Sequence, residues 1–227
     1  MDWNNDGKLD LIAGDTQGTV WLFLNTGTRE NPVLAEGVRV EADGKPIAAT
    51  RTTYKMVDRR AVVDKVVEGS SPLAQIYSRI HMADWDGDGL RDLLVGHDQG
   101  IAFYKNVGTA SAPRFLAPTR LECSVGNFPF RPMPCVADLD RDGKPDLLLG
   151  GEKLPILFYR NIGTAQNPRL GLPQPLSLQG DGLETGFRYT VAVTDWNGDG
   201  KLDLLVGTCA STPGTRLGGN VWLFLGK

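Results

Sequence analysis

Oxygen-bearing side chains recur at every second residue in four stretches of this chain: DWNNDGKLDLIAG (2–14), DWDGDGLRDLLVG (84–96), DLDRDGKPDLLLG (138–150) and DWNGDGKLDLLVG (195–207). Counted from the first aspartate, they fall at positions 1, 3, 5 and 9, with glycine at position 6. The first set is Asp2, Asn4, Asp6 and Asp10; the second is Asp84, Asp86, Asp88 and Asp92. The third is Asp138, Asp140, Asp142 and Asp146; the fourth is Asp195, Asn197, Asp199 and Asp203. Carboxylates this close repel one another until a cation neutralises them. Every donor is oxygen, with no cysteine or histidine, which disfavours zinc and copper. The position-7 backbone carbonyl, of Lys8, Leu90, Lys144 or Lys201, adds a fifth ligand. A bidentate carboxylate or a water completes the roughly six to eight oxygens that Ca²⁺ takes, whereas Mg²⁺ keeps its waters and fits less well. The position-6 glycines, Gly7, Gly89, Gly143 and Gly200, permit the bend that wraps the chain round an ion. The spacing therefore predicts Ca²⁺ at up to four sites.

An EF-hand shares the first six positions but needs a bidentate glutamate at position 12. Here position 12 is Ala13, Val95, Leu149 or Val206, and the flanks read as strands. A dockerin-like loop is excluded in the same way, because DLLVG is a poor start for a helix. Asp, Asn and Gly also build solvated turns without any metal. One such loop would leave that reading open; four copies with the pattern intact favour the ion.

The elements that must hold these loops are strands. GFRYTVAVTDW (186–196) alternates and is rich in β-branched and aromatic residues, and LDLLVG is continuously apolar, as a strand covered on both faces is. A second apolar segment follows each loop: VWLFL, IAFYK, ILFYR and VWLFL again. Three of these lead into the frame N-x-G-T-x-x-x-P, with Asn25 and Pro32, Asn106 and Pro113, Asn161 and Pro168. A weaker outer segment ends the unit, as in RFLAPTRLEC (114–123). Four short strands per unit suit the blades of a β-propeller. Trp3, Trp85 and Trp196 share one place in the repeat and Trp21 and Trp222 another, which predicts packing between blades. SPLAQIYSRI (71–80) is the one short helix expected.

D-x-[DN]-x-D-G-x-x-D-L-x-x-G after a strand resembles the FG-GAP/VCBS repeat, the calcium-loop blade of integrin-alpha-type propellers and of many secreted bacterial proteins. The N-x-G-T-x-x-x-P frame resembles the bacterial branch of that family. The resemblance covers nearly the whole chain outside about 45–78. It implies an all-β fold, a β-propeller of four-stranded blades with calcium loops between inner strands, and calcium ligands at positions 1, 3, 5 and 9 of each loop. The family does not fix a function, because its blades serve in adhesins, lectin-like proteins and polysaccharide-degrading enzymes.

The repeats run approximately over 1–44, 79–125, 126–180 and 181–227, with an insertion at 45–78, and are expected to form a single domain. By that resemblance the first repeat is expected to lack its inner strand and the last its outer one. An upstream segment carrying both strands and a secretion signal is expected. In the insertion, TTYKMV and AVVDKVV are expected to pair as a hairpin around Asp58–Arg60. It carries Lys45, Arg51, Lys55, Arg59, Arg60 and Lys65, with Arg79 just beyond it, and reads as a hairpin shielding a blade edge or a surface for an acidic polysaccharide.

A net charge of −3 gives no general case for nucleic acid, and no apolar run reaches the roughly 18–20 residues of a membrane helix. Cys123, Cys135 and Cys209 read as buried hydrophobes, His81 as an inner-strand residue and His97 as part of a variable turn. No catalytic constellation is found, and the carboxylates are committed to metal. The favoured reading is a non-catalytic, calcium-binding propeller, exported or on a surface, that binds a carbohydrate or protein ligand. A propeller-type polysaccharide lyase and a scaffold module without its own ligand are the alternatives. Calcium loops of extracellular modules bind with dissociation constants of about 10⁻⁴–10⁻³ M, which cytosolic calcium would leave empty; an extracellular, cell-surface or periplasmic location follows.

Overall fold

The computed structural model describes residues 1–48, 51–58, 60–67, 77–98, 100–124, 128–153, 155–179, 183, 186–210 and 218–226. Among these residues the regular structure is entirely β apart from one 3₁₀ position at Leu183. Sheets of three or four strands recur once per acidic loop. The first consists of β1 (Leu11–Gly14), β2 (Val20–Phe23) and β3 (Val38–Arg39), in that order. Two hairpins follow: β4 (Glu41–Ala42) with β5 (Lys45–Pro46), and β6 (Arg51–Val57) with β7 (Arg60–Val67). The hairpin expected in the insertion is therefore present, with Asp58 in its turn at φ 50°.

The second sheet contains β8 (Arg79–Ala83), β9 (Asp92–His97), β10 (Gly100–Tyr104) and β11 (Thr119–Arg120), in the order β11-β10-β9-β8. The third runs β12 (Met133–Ala137), β13 (Asp146–Gly150), β14 (Leu157–Asn161) and β15 (Leu170–Pro175). The fourth has β16 (Phe187–Thr194), β17 (Asp203–Ala210) and β18 (Gly218–Phe224). All pairings given for these four sheets are antiparallel. These are propeller-type blades, four-stranded in the middle repeats and three-stranded in the first and last.

The chain forms two compact units. One comprises Met1–Met82, Leu90–Asp98 and Ala102–Leu121; the other Ala83–Gly89, Gln99–Ile101 and Glu122–Lys227. In the first unit Val20 and Leu22 of β2 share a core with Leu93 and Val95 of β9, Tyr104 of β10 and Phe115. In the second, Leu148 of β13 packs with Tyr189 of β16 and with Leu204 and Val206 of β17. Each core joins the faces of two successive repeats, which explains why the strand after each loop is apolar on both sides: every residue of β9 and β13 is buried. The glycine ending D-L-x-x-G has the same origin. At Gly150 a Cβ would collide with the carbonyl of Tyr189, and the Tyr189 N–H donates to the Gly151 carbonyl at 2.7 Å.

Some expectations change. Residues 71–76 of the expected helix lie outside the described residues, while Arg79 and Ile80 open strand β8. His97 is no turn residue: β9 runs through it and it is 2% exposed. Of the tryptophans, Trp85 is buried and Trp3 packs on Phe115 of the next repeat with ring centroids 5.9 Å apart. Trp196, in the last repeat, is 62% exposed, so it is no core residue.

Candidate metal centres

Each loop folds on its own carboxylates, and the four copies agree in detail. The position-1 aspartate accepts the position-5 N–H on Oδ1: Asp6 to Asp2 at 3.1 Å, Asp88 to Asp84 at 3.1 Å, Asp142 to Asp138 at 3.0 Å, Asp199 to Asp195 at 3.1 Å. Its Oδ2 accepts the N–H of the position-6 glycine at 2.9 Å in every copy. That glycine has φ between 81° and 87°, left-handed backbone where a β-carbon is strained. Position 4 is left-handed too, at Asn5, Gly87, Arg141 and Gly198. This second turn is hidden in the sequence because four copies use three residue types there.

Position 9 plays a different part from the rest of the ring. Asp10, Asp92, Asp146 and Asp203 are buried, whereas the residues at positions 1, 3 and 5 are half-buried or exposed. In three copies one carboxylate oxygen accepts the position-2 N–H: Trp3 to Asp10 at 2.8 Å, Leu139 to Asp146 at 3.1 Å, Trp196 to Asp203 at 2.8 Å. The other oxygen accepts an N–H from the chain at or just past the end of the next strand. The donors are Asn25 at 2.7 Å, Asn106 at 2.8 Å, Asn161 at 2.7 Å and, in the last repeat, Gly226 at 2.8 Å. Position 9 thus ties the start of its loop to the N-x-G-T turn. Burial raises the Asp146 pKa above the usual carboxylate value.

The asparagine of that turn is the functional residue whose role the spacing alone left unread. Asn161 Oδ1 accepts the N–H of Gly163 at 2.9 Å and of Arg169 at 3.0 Å, while Nδ2 donates to the Thr164 carbonyl at 3.1 Å. Asn25 repeats the set with Gly27, Val33 and Thr28; Asn106 accepts from Gly108 and Arg114 but donates to the Arg91 carbonyl.

Two loops gather three carboxylates with oxygens within 4.8 Å of one another: Asp84, Asp86 and Asp88, and Asp138, Asp140 and Asp146. In the other two, position 3 is an amide. Asn4 and Asn197 present Oδ1 to the N–H of Asp6 and Asp199, and Nδ2 to their carboxylates at 3.2 Å. The donor set is oxygen throughout, the chemistry of a hard cation such as Ca²⁺ or Mg²⁺. Chain cations reach it in places: Lys8 Nζ lies 3.3 Å from Asp6, and Lys144 Nζ 2.9 Å from Asp142. The Lys8 N–H bonded to Asp6 lowers the Asp6 pKa, and the Lys144 side chain lowers that of Asp142. His81 lies half-buried in β8, and Cys135 is a buried thiol pushed up to about 11 by that burial; all three cysteines are free.

The sequence profile described as FG-GAP-like repeat matches residues 84–149 and 138–206, together more than half of the chain. No curated protein matches. Among solved structures, a chain of the Tc holotoxin pore of Photorhabdus luminescens is similar at 20% identity and a TM-score of 0.45. The similarity covers 94% of this chain but spans 8% of that one.

Proposed function

The chain belongs to the FG-GAP-like repeat family, and from that membership we propose that it is a calcium-binding, non-catalytic β-propeller module of an exported or surface protein. The observation that carries the reading is the fourfold recurrence of one loop conformation around an oxygen-only donor set. Positions 1, 3, 5 and 9 with the position-7 carbonyl would hold the ion, which supplies the positive charge that the carboxylates need to stay together. Calorimetric titration of the full chain with CaCl₂, beside melts in calcium and in chelator, tests it. Heat of binding and a higher melting temperature in calcium are expected. No heat and an unchanged melt would overturn the reading.

A carbohydrate is the ligand we favour over a protein. Within the first unit a cavity of about 500 Å³ has an apolar floor of Trp3, Val40 and Phe115. Its rim carries Arg39, Glu41, Asp43 and Arg114, so donors and acceptors surround an aromatic base, as a sugar requires. The wall is built by the β4–β5 hairpin, whose Asp43 N–H donates to the Phe115 carbonyl at 3.0 Å. Trp3 is the position-2 residue of the first loop, held by Asp10, which links the floor to the candidate ion site. A glycan array probed in calcium should give hits that Arg39→Ala and Arg114→Ala weaken together. Hits indifferent to both variants would remove the cavity from the proposal.

A further inference from the structure

Asp140 and Asp142 each accept a backbone N–H on Oδ1, from Asp142 at 3.3 Å and Lys144 at 3.1 Å, and turn Oδ2 to Arg160. Arg160 occupies both of those atoms: its Nε pairs with Asp140 Oδ2, and its Nη2 lies 3.2 Å from Asp142 Oδ2. Lys144 Nζ adds a second cation to Asp142 and is itself anchored on the Asn161 carbonyl at 3.1 Å. Asp142 falls outside the group formed by Asp138, Asp140 and Asp146, whereas Asp88, its counterpart, lies inside the group formed with Asp84 and Asp86. The position before the turn asparagine, where Arg160 stands, is Leu24 in the first repeat, and Leu225 takes the same place in the last. In that last repeat the position-5 carboxylate, Asp199, meets the neutral amide of Asn197 at 3.2 Å.

We infer that Arg160 is a built-in counter-cation that lowers the calcium affinity of the 138–146 loop, because the guanidinium must leave Asp140 and Asp142 before an ion enters. The inference rests on the calcium reading above. A guanidinium bridging two carboxylates makes a charge-assisted hydrogen bond to each, and near a bound divalent ion its charge repels. Arg160 is 51% exposed, so solvent screens the pairs and the handicap is moderate, roughly fivefold in affinity.

The test is a CaCl₂ titration of the isotope-labelled full chain, followed by NMR at the amides of Gly143 and Gly200. Each donates to the position-1 carboxylate of its own loop. Gly143 reports the loop that Arg160 touches, and Gly200 serves as the internal control. Arg160→Leu, the residue the first and last repeats use, should shift the Gly143 midpoint to roughly fivefold lower calcium and leave Gly200 in place. Arg160→Lys, which keeps the charge, should stay near the parent and guards against a purely steric effect. A Gly143 midpoint unmoved by Arg160→Leu, or moving together with Gly200, overturns the inference while calcium binding stands. An absence of response at both amides overturns the calcium reading and this inference with it.

Discussion

Two carboxylates in one loop have different work to do, and their substitution should separate structure from ion binding. Asp146 is fully buried and satisfies the N–H groups of Leu139 and Asn161, so Asp146→Ala leaves two donors without acceptors. Urea denaturation in chelator should show a loss of about 3 kcal/mol, the usual scale for hydrogen bonds to a buried charge. Asp142→Ala removes solvent-screened pairs with Lys144 and Arg160 and the exposed acceptor of the Lys144 N–H, and should cost far less in chelator than Asp146→Ala. Its deficit should appear on adding calcium. Equal losses in chelator would refute this division. His97 makes a residue-scale prediction of another kind. Burial lowers its pKa from 6.5 to about 4, the Tyr77 carbonyl 3.3 Å from Nδ1 and the Asp98 charge oppose that shift, and the Arg79 charge reinforces it. Between pH 6.5 and pH 4 the unfolded imidazole takes up a proton that the folded one refuses, so stability is lost as pH falls through that window. The loss should approach about 3 kcal/mol relative to His97→Leu, read as the difference between their pH–stability curves. Parallel curves would show that His97 titrates normally.

At the scale of the element, the unit that matters is a loop, a strand and a turn stapled by one buried aspartate and one buried asparagine. Asn161→Ala removes two acceptor interactions and one donor at a fully buried site, and should cost about 2–4 kcal/mol. Hydrogen exchange at the Gly163 and Arg169 amides should accelerate before that of β13, because those N–H groups lose their acceptor directly. Retained protection at both amides would mean that backbone pairing alone holds the turn. The strands and loops were legible in the sequence because they are repeated: DLLVG signals burial on both faces by composition, and the 1-3-5-9 spacing with its glycine marks each loop. Three features were not. The left-handed residue at position 4 varies between Asn, Gly and Arg, so no residue type marks it. The link from Asp146 to Asn161 spans a strand and a turn, a distance local patterns do not carry. His97 looked like a turn residue because its counterparts Asp15, Gly151 and Thr208 share no chemistry, yet strand pairing continues to Thr208 and beyond in the last repeat.

For the whole molecule, the repeats make stability a sum of similar contributions, and on the proposed calcium reading bound ions would add to that sum. At ~1 mM calcium and a dissociation constant of about 0.1 mM, one occupied site stabilises by roughly 1.4 kcal/mol, so four give about 5–6 kcal/mol. A typical domain has only about 5–15 kcal/mol in total, so the chelated protein should be near its limit. For a chain of this size each kcal/mol moves the melting temperature by about 2–4 °C. Chelation should therefore lower it by roughly 10–20 °C, and restoring calcium should raise it again with the logarithm of concentration. Magnesium at the same concentration should restore little of it, because that ion keeps its waters and a loop of flexible carboxylates does not enforce its octahedron. Arg160→Leu sharpens the test: the variant should need less calcium than the parent for the same rise in melting temperature. A melt indifferent to chelator would mean that the aspartates are held together by their backbone hydrogen bonds and by Lys8, Lys144 and Arg160 alone.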